Sequence, residues 1–438
     1  MKFTMYSADG DGAHLLYRMR EEGNDVELYI KHPEYRRGWD GLLPKVDKFN
    51  PGKDDVIIFD FSGFGTIADG LRKSGHLVVG GSELADKLEQ ERMFGLDFME
   101  ASGIKIPLTV DFDKFNTKLV ANFLEEYGGD GKRFVFKPNG KNLPSSLTYC
   151  SKDDEDLMQW VEYVDKYYGK DVESFVLQQF MEGVVVSTEI WSDGNKFAPG
   201  SLNHDVEIKA FMDHCLGQAT GCSGNIVWAE HSTACRIAAE GLLRVEEAVI
   251  RGGHVGPMDL NVVANDEGIW GLEWTPRFGY EGITNLPLLI KGDVGEFFYN
   301  IASGRGDAVS MNDSFVSSVR LTIPPYPAEP KHLADTARVT PNVGIPIRGF
   351  PKDPAKMDLF HFYEVMDEGD GILRHSPGIG IIAAVMGVSD DPRGAFVEPY
   401  GILEELILPN KQYRTDLAEV LGKMYEQVVE QEGILAHI

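Results

Sequence analysis

Apolar and polar positions alternate in blocks along the first part of the chain. Phe3–Tyr6 and Asn24–Ile30 read as strands on either side of an amphipathic helix over Ala13–Glu22. Asp55-Val56-Ile57-Ile58-Phe59-Asp60 is a continuous apolar run ending in an acid, the pattern of a strand covered on both faces in a parallel sheet. Leu77-Val78-Val79-Gly80-Gly81 repeats it. Strands alternating with helices predict a doubly wound α/β domain over residues 1–88. Asp9-Gly10-Asp11-Gly12-Ala13-His14 follows the first strand and opens the helix, so it is either a simple turn or an anion site at a helix start.

Beyond this domain the periods change. A helix is expected over Asp86–Ser102. Arg133–Pro138 reads as a strand carrying Lys137, followed by a loop to Ser146 and a second strand from Leu147. These elements predict a small αβ lid over about 119–186 inside a larger domain spanning 89–309. Two strands flank the turn cluster Ala264-Asn265-Asp266-Glu267-Gly268 and predict a hairpin. Residues 310–438 read as an α+β tail domain, with strands at Ser317–Ile323 and Ile379–Gly387 and an amphipathic helix over Arg414–Glu432.

Composition narrows the function. The chain has 438 residues, enough for two to four domains, and 43% hydrophobic and 25% charged residues, ordinary for a globular enzyme. Its net charge of −27 argues against nucleic acid or an anionic membrane as a partner. A phosphate site in such a chain must be a local basic pocket. Cys150, Cys215, Cys222 and Cys235 show no ligand-like spacing, which suits a reducing cytoplasmic setting. Met1–Tyr6 reads as a strand with no signal peptide, and no window reaches transmembrane length.

The predicted hairpin carries the chemistry. Asp259 stands on one strand and Glu273 on its partner, so both carboxylates can reach one magnesium ion. Thr275 and Arg277 follow Glu273 at same-face positions, and the arginine suits a transferring phosphate. A surface strand with a chance salt bridge would carry the same letters. Lys137 alternates inward from an apolar strand, a costly place for a cation unless an anion such as a nucleotide phosphate meets it.

Acid, hairpin, then Glu273-Trp274-Thr275-Pro276-Arg277-Phe278-Gly279 resembles the Glu-Phe-Asn-x-Arg-Phe-Gly strand of the phosphoribosylamine–glycine ligase family, within the ATP-grasp superfamily. The likeness runs through most of the chain in order. It implies an ATP-grasp fold with an N-terminal doubly wound domain, a lid and a C-terminal α+β domain. By resemblance, Asp259, Glu273 and Thr275 hold Mg2+ or Mn2+; Thr275 replaces the family's asparagine, a loss that Asn261 or a water offsets. Arg92, in place of a lysine, Lys137 and the lid-loop Lys141 bind ATP phosphates. Phe175-Val176-Leu177-Gln178-Gln179-Phe180-Met181-Glu182-Gly183 resembles the family's hinge, so the backbone at Gln178 and Met181 reads adenine and Glu182 takes the ribose. Lys209, Thr220 and Gly221 fall in the family's Asp-His-Lys segment and Thr-Gly loop and, with Arg277, serve the acyl phosphate. The implied substrates are glycine and phosphoribosylamine, in a cytoplasmic monomer or homodimer. Two rivals stand beside this expectation. One is an ATP-grasp ligase for another amino acid and amine, because Gly12 and Ala13 replace the family's arginine and glutamate and acids flank them. The other is a non-catalytic nucleotide-binding homologue.

Overall fold

The structure, a computed structural model, describes residues 1–139, 147–278, 282–328 and 342–430. The first domain is a parallel sheet of β1 (Lys2–Ser7), β2 (Asp25–Ile30), β3 (Val56–Phe59) and β4 (Leu77–Val79) in the order β2-β1-β3-β4. Phe3 and Met5 are fully buried, as are Ile57 and Ile58, whose unbroken apolar run requires cover on both faces. Helix α1 (Ala13–Glu21) follows β1, and α2 (Gly65–Lys73) links β3 to β4.

The single helix expected over 86–102 is two. Helix α3 (Glu83–Gln90) starts at Ser82, whose hydroxyl accepts from Ala85 N at 3.0 Å. Glu91 leaves helical geometry at φ −104°, ψ 83°, and α4 (Arg92–Ala101) restarts with Arg92 as its first residue. Gly95 makes the corner possible: a Cβ there would meet Leu88 O at 2.6 Å and the Trp274 ring at 3.3 Å.

The lid is a separate antiparallel sheet of β5 (Thr109–Phe112), β6 (Phe134–Asn139), β7 (Tyr149–Cys150) and β8 (Ser174–Gln179), in the order β5-β8-β6-β7. Helices α5 (Thr117–Tyr127) and α6 (Asp154–Tyr168) cover it and share a core of its own around Val120, Phe134, Phe136, Val161 and Phe175. The lid sheet thus takes in Thr109–Phe112, upstream of the expected start near 119.

The largest element is one eight-stranded antiparallel sheet. It contains β9 (Val184–Asp193), β10 (Phe197–Met212), β11 (Leu216–Ala229), β12 (Val255–Asn265), β13 (Gly268–Trp274), β14 (Phe315–Thr322), β15 (Phe360–Phe362) and, past the small hairpin of β16 (Val365–Asp367) and β17 (Leu373–His375), β18 (Ile381–Ser389). The order is β13-β12-β9-β10-β11-β14-β18-β15. The tail expected to stand apart from residue 310 therefore continues this sheet: Val316 pairs with Val227 and Val319 with Gly224. The physical reason is the bare edge that β11 would otherwise present. One core runs from Phe3 to Val428.

The β12–β13 hairpin is present, with Asn261 opposite Glu273. The Thr-Gly segment is not a loop but part of β11. The turn lies earlier, at Asp213–Cys215, where His214 and Cys215 take positive φ. This tip is fastened by Asp213, which accepts from Thr415 N at 2.9 Å and Thr415 Oγ1 at 2.6 Å.

Candidate active site

Strand register builds the site in rows. Side chains two apart share a face, and one face of the large sheet is polar where the other packs the core with Met258, Leu260, Val262 and Val206. In one row Asp259 lies opposite Glu189, and Glu189 opposite Asn203; Thr275 joins through its N–H to Asp259 O at 2.9 Å. In the next row stand Glu273, Asn261, Ser187 and Asp205. Glu207 and Lys209 follow along β10. Opposite Lys209 the pairing bulges, because Ile208 pairs with Gly224 and Ala210 with Ala219, leaving Thr220–Ser223 against a single residue. Thr220 Oγ1 donates to Lys209 O at 2.8 Å. Asp259, Glu273, Thr275, Arg277, Lys209, Thr220 and Gly221 all line one cavity of about 250 Å3.

Glu273 is the electrostatic centre. Lys209 Nζ lies 3.4 Å from its carboxylate and 3.3 Å from that of Glu207. Enclosure by the cavity walls would raise the Glu273 carboxyl, but Lys209, Lys137 and Arg92 outweigh it and hold it below the usual carboxylate range. Lys137 is pushed down to about 8 by burial, which Glu273 partly offsets and Arg92 and Lys209 reinforce. Three cations from the lid, α4 and β10 thus converge on one acid, beside a cavity that Glu189, Asp205, Glu207 and Asp259 also line. Arg92 donates to Asn139 Oδ1 at 3.5 Å, at the end of the lid strand that carries Lys137.

Gln178 has a different place from the one expected. Its residue pairs with Thr109 on one side and Val135 on the other, in the middle of the lid sheet. Its side chain accepts from Lys137 Nζ at 2.7 Å and donates to Thr109 Oγ1 at 3.0 Å. Gln178 therefore positions Lys137 and does not offer its backbone edge to a base. Met181 lies half-buried and Glu182 exposed on the link from lid to large sheet, where Asn265 donates to Glu182 O at 2.8 Å. Lys141 lies outside the described residues. Arg277 reaches the cavity, but its guanidinium is paired with Glu89 at 2.8 Å and donates to Phe278 O at 2.8 Å.

Sequence reasoning missed Glu189 and Asp205. The signal was present: Asn203, Asp205, Glu207 and Lys209 are polar at every second position, against His204, Val206 and Ile208. Glu189 is fixed by Trp191 Nε1 at 2.9 Å and Asn203 Nδ2 at 3.1 Å. Asp205 accepts from Asn225 Nδ2 at 3.2 Å, and Asn225 is in turn held by Asn285 at 2.8 Å and Ser318 at 2.7 Å. Burial and then Glu207 push Asp205 up to about 8. Burial, with Asp205 and Glu189 adding, pushes Asp259 well above its usual range although Ser187 donates to it. Carboxylates that cannot all ionise together fit a divalent cation, and Asp259, Glu273 and the amide of Asn261 supply hard oxygen donors for one. Asn261 Nδ2 also donates to Thr275 Oγ1 at 3.3 Å, so the asparagine stands beside the threonine.

This charge arrangement predicts a pH effect. Between about pH 4 and pH 8 folded Asp205 keeps a proton that the unfolded chain releases, so its contribution to stability falls as pH rises through that window. In chelator, the unfolding midpoint of the ligand-free protein is expected to fall across this range. Asp205→Asn should make the fall shallower in thermal scans, and an unchanged slope would remove Asp205 from the account.

The carboxyl end of the first sheet holds another acidic group. Asp60 accepts from Ser7 Oγ at 2.6 Å and Gly12 N at 3.0 Å, and burial and then Asp9 push it up to about 7. Asp11 is held well above the usual carboxylate range by burial, then Asp9 and Glu364. His14 is packed inside, its Nδ1 accepting from Phe362 N at 3.2 Å.

No family model matches the chain. It is 22% identical over 366 residues to a phosphoribosylamine–glycine ligase of Neisseria meningitidis serogroup B, covering 81% of each chain. It is 24% identical over 370 residues to that of Corynebacterium ammoniagenes, covering 81% of this chain and 79% of the relative. Among solved structures, the phosphoribosylamine–glycine ligase of Thermotoga maritima matches with a TM-score of 0.69 at 18% identity, over 95% of this chain and all of that one. The biotin carboxylase domain of the Hydrogenobacter thermophilus 2-oxoglutarate carboxylase, in complex with MgADP, matches at 0.60 and 13% identity over 100% and 99% of the two chains. Among the described residues no helix is long and apolar enough to cross a membrane. The chain has the ATP-grasp fold and is similar, at low identity over most of its length, to the phosphoribosylamine–glycine ligases.

Proposed function

We propose that the protein is an ATP-dependent carboxylate–amine ligase of the phosphoribosylamine–glycine ligase type. The observation that carries this is the meeting of Glu273, Asp259 and Asn261 on one hairpin face with Lys137, Arg92 and Lys209 from three other elements. A magnesium or manganese ion held by Asp259, Glu273 and Asn261 would neutralise nucleotide phosphate charge there.

In this reading ATP lies between the lid and the large sheet, with Lys137 and Arg92 on its phosphates and the Met181–Glu182 link beside its base and ribose. The carboxylate oxygen of an amino acid attacks the γ-phosphorus, the bond to the β-phosphate oxygen breaks, and ADP leaves. Lys209 and the bulge at Thr220–Gly221 face the acyl phosphate so formed. An amine attacks its carbonyl carbon, loses a proton and expels phosphate, leaving an amide. Such transfer rests on positioning and charge neutralisation, which these residues supply without a protein nucleophile.

Glycine and phosphoribosylamine are the substrates that the relatives' names bring to the test. A second reading kept for the test is a ligase whose amine carries no phosphate; burial raises the Asp9, Asp11 and Asp60 carboxyls, so protonation weakens the repulsion that these acids would exert on a dianion. Steady-state ADP release is measured with glycine and fresh phosphoribosylamine, each omitted in turn, and with cationic amines in place of the latter. Release that needs both named substrates supports the family reaction. Release only with a cationic amine supports the second reading, and none with any pair overturns the ligase assignment.

A further inference from the structure

The large sheet carries a second cluster of donors on the side away from the catalytic cavity. His204 alternates with Asp205 along β10 and so faces the other way; it is fully buried. Glu230 follows the end of β11, half-buried, and Cys235, fully buried, precedes the helix Arg236–Glu240. Cys235 Sγ lies 3.5 Å from His204 Nε2, and one donor atom from each of the three residues falls within 4.8 Å of the others.

We propose that His204, Glu230 and Cys235 form a binding site for a soft divalent cation of the zinc class. With metal–sulfur and metal–nitrogen bonds of about 2.3 and 2.0 Å, a tetrahedral ion sets sulfur and nitrogen about 3.5 Å apart. The observed separation is that edge. The carboxylate is already aimed, because Glu230 Oε1 accepts from Ser232 N at 2.7 Å. Burial lowers His204 to about 4, against a hydrogen bond with the Ser187 backbone, so the ring is neutral and can ligate. The half-buried Glu230 gives the ion a way in, and water completes the fourth position. Binding replaces the thiol proton with the cation and releases that proton to solvent. Sulfur and imidazole separate this site from the oxygen-lined cavity on the opposite face, which prefers a hard cation. An ion here ties β10, the strand of Asp205, Glu207 and Lys209, to the turn that opens the next helix.

The test uses the full chain, stripped of metal and titrated with cobalt(II) in excess magnesium. One equivalent is expected to bind with a thiolate-to-cobalt charge-transfer band in the near ultraviolet, and zinc should displace it. Cys235→Ser is expected to abolish the band. Glu230→Gln, at a half-buried position that disturbs packing little, should weaken cobalt binding at least about tenfold. Cobalt binding without the band, a band that survives Cys235→Ser, or unchanged affinity in Glu230→Gln would overturn the site. The readout is independent of ligase turnover.

Discussion

Glu273→Gln is expected to lower turnover by at least about a hundredfold, a loss typical of removing one preorganised charge partner from a transferring group, while nucleotide affinity changes far less. The amide keeps the shape of the side chain but not the charge on which Lys209, Lys137 and Arg92 converge. The fold should survive. The Glu273 side chain is 56% exposed, and Lys209 keeps Glu207 at 3.3 Å. The measurement is ADP release at saturating magnesium and substrates, beside direct nucleotide titration. Near-normal release would place the cation on other residues.

Lys137→Ala is expected to weaken nucleotide binding by roughly ten- to a hundredfold, the worth of one lost charge-assisted contact of about 1.5–3 kcal/mol. Its effect on stability is separable. Lys137 is the donor to Gln178 Oε1, and Gln178 is only 3% exposed, so truncation leaves a buried oxygen unpaired at a cost of about 1–3 kcal/mol. Lys137→Ala with Gln178→Leu removes both partners and should recover part of that stability without restoring affinity. Calorimetric titration with ATP and thermal scans of the three proteins read the two effects. Wild-type affinity in Lys137→Ala would end its assignment to phosphate.

The parallel sheet and the Asp259–Glu273 hairpin were legible because their signals are local. Unbroken apolar runs mark β3 and β4, and a turn cluster separates the two acids. Glu91 was not legible as a helix break: the residue is compatible with helix, and the corner is set by Gly95 meeting Leu88 O. Gln178 was misplaced because a hinge motif shows order along the chain but not which groups the neighbouring strands consume. Glu189 and Asp205 needed the register of three strands to bring them to Asp259. The Thr220–Gly221 segment was found as a candidate but read as a loop, since a bulge depends on the count of residues in the partner strand.

The continuous sheet changes what the last third of the chain is for. Asp205 is steadied by Asn225, Asn225 by Ser318, and Ser318 belongs to β14, which β18 holds in place. The lid has its own core, so it can open or melt locally while the rest stays folded. Strands β14, β15 and β18, after residue 310, have no such independence. They share one sheet and one core with the polar face, and a fragment ending before them would lose both the neighbour of β11 and the support beneath the acids it is meant to display.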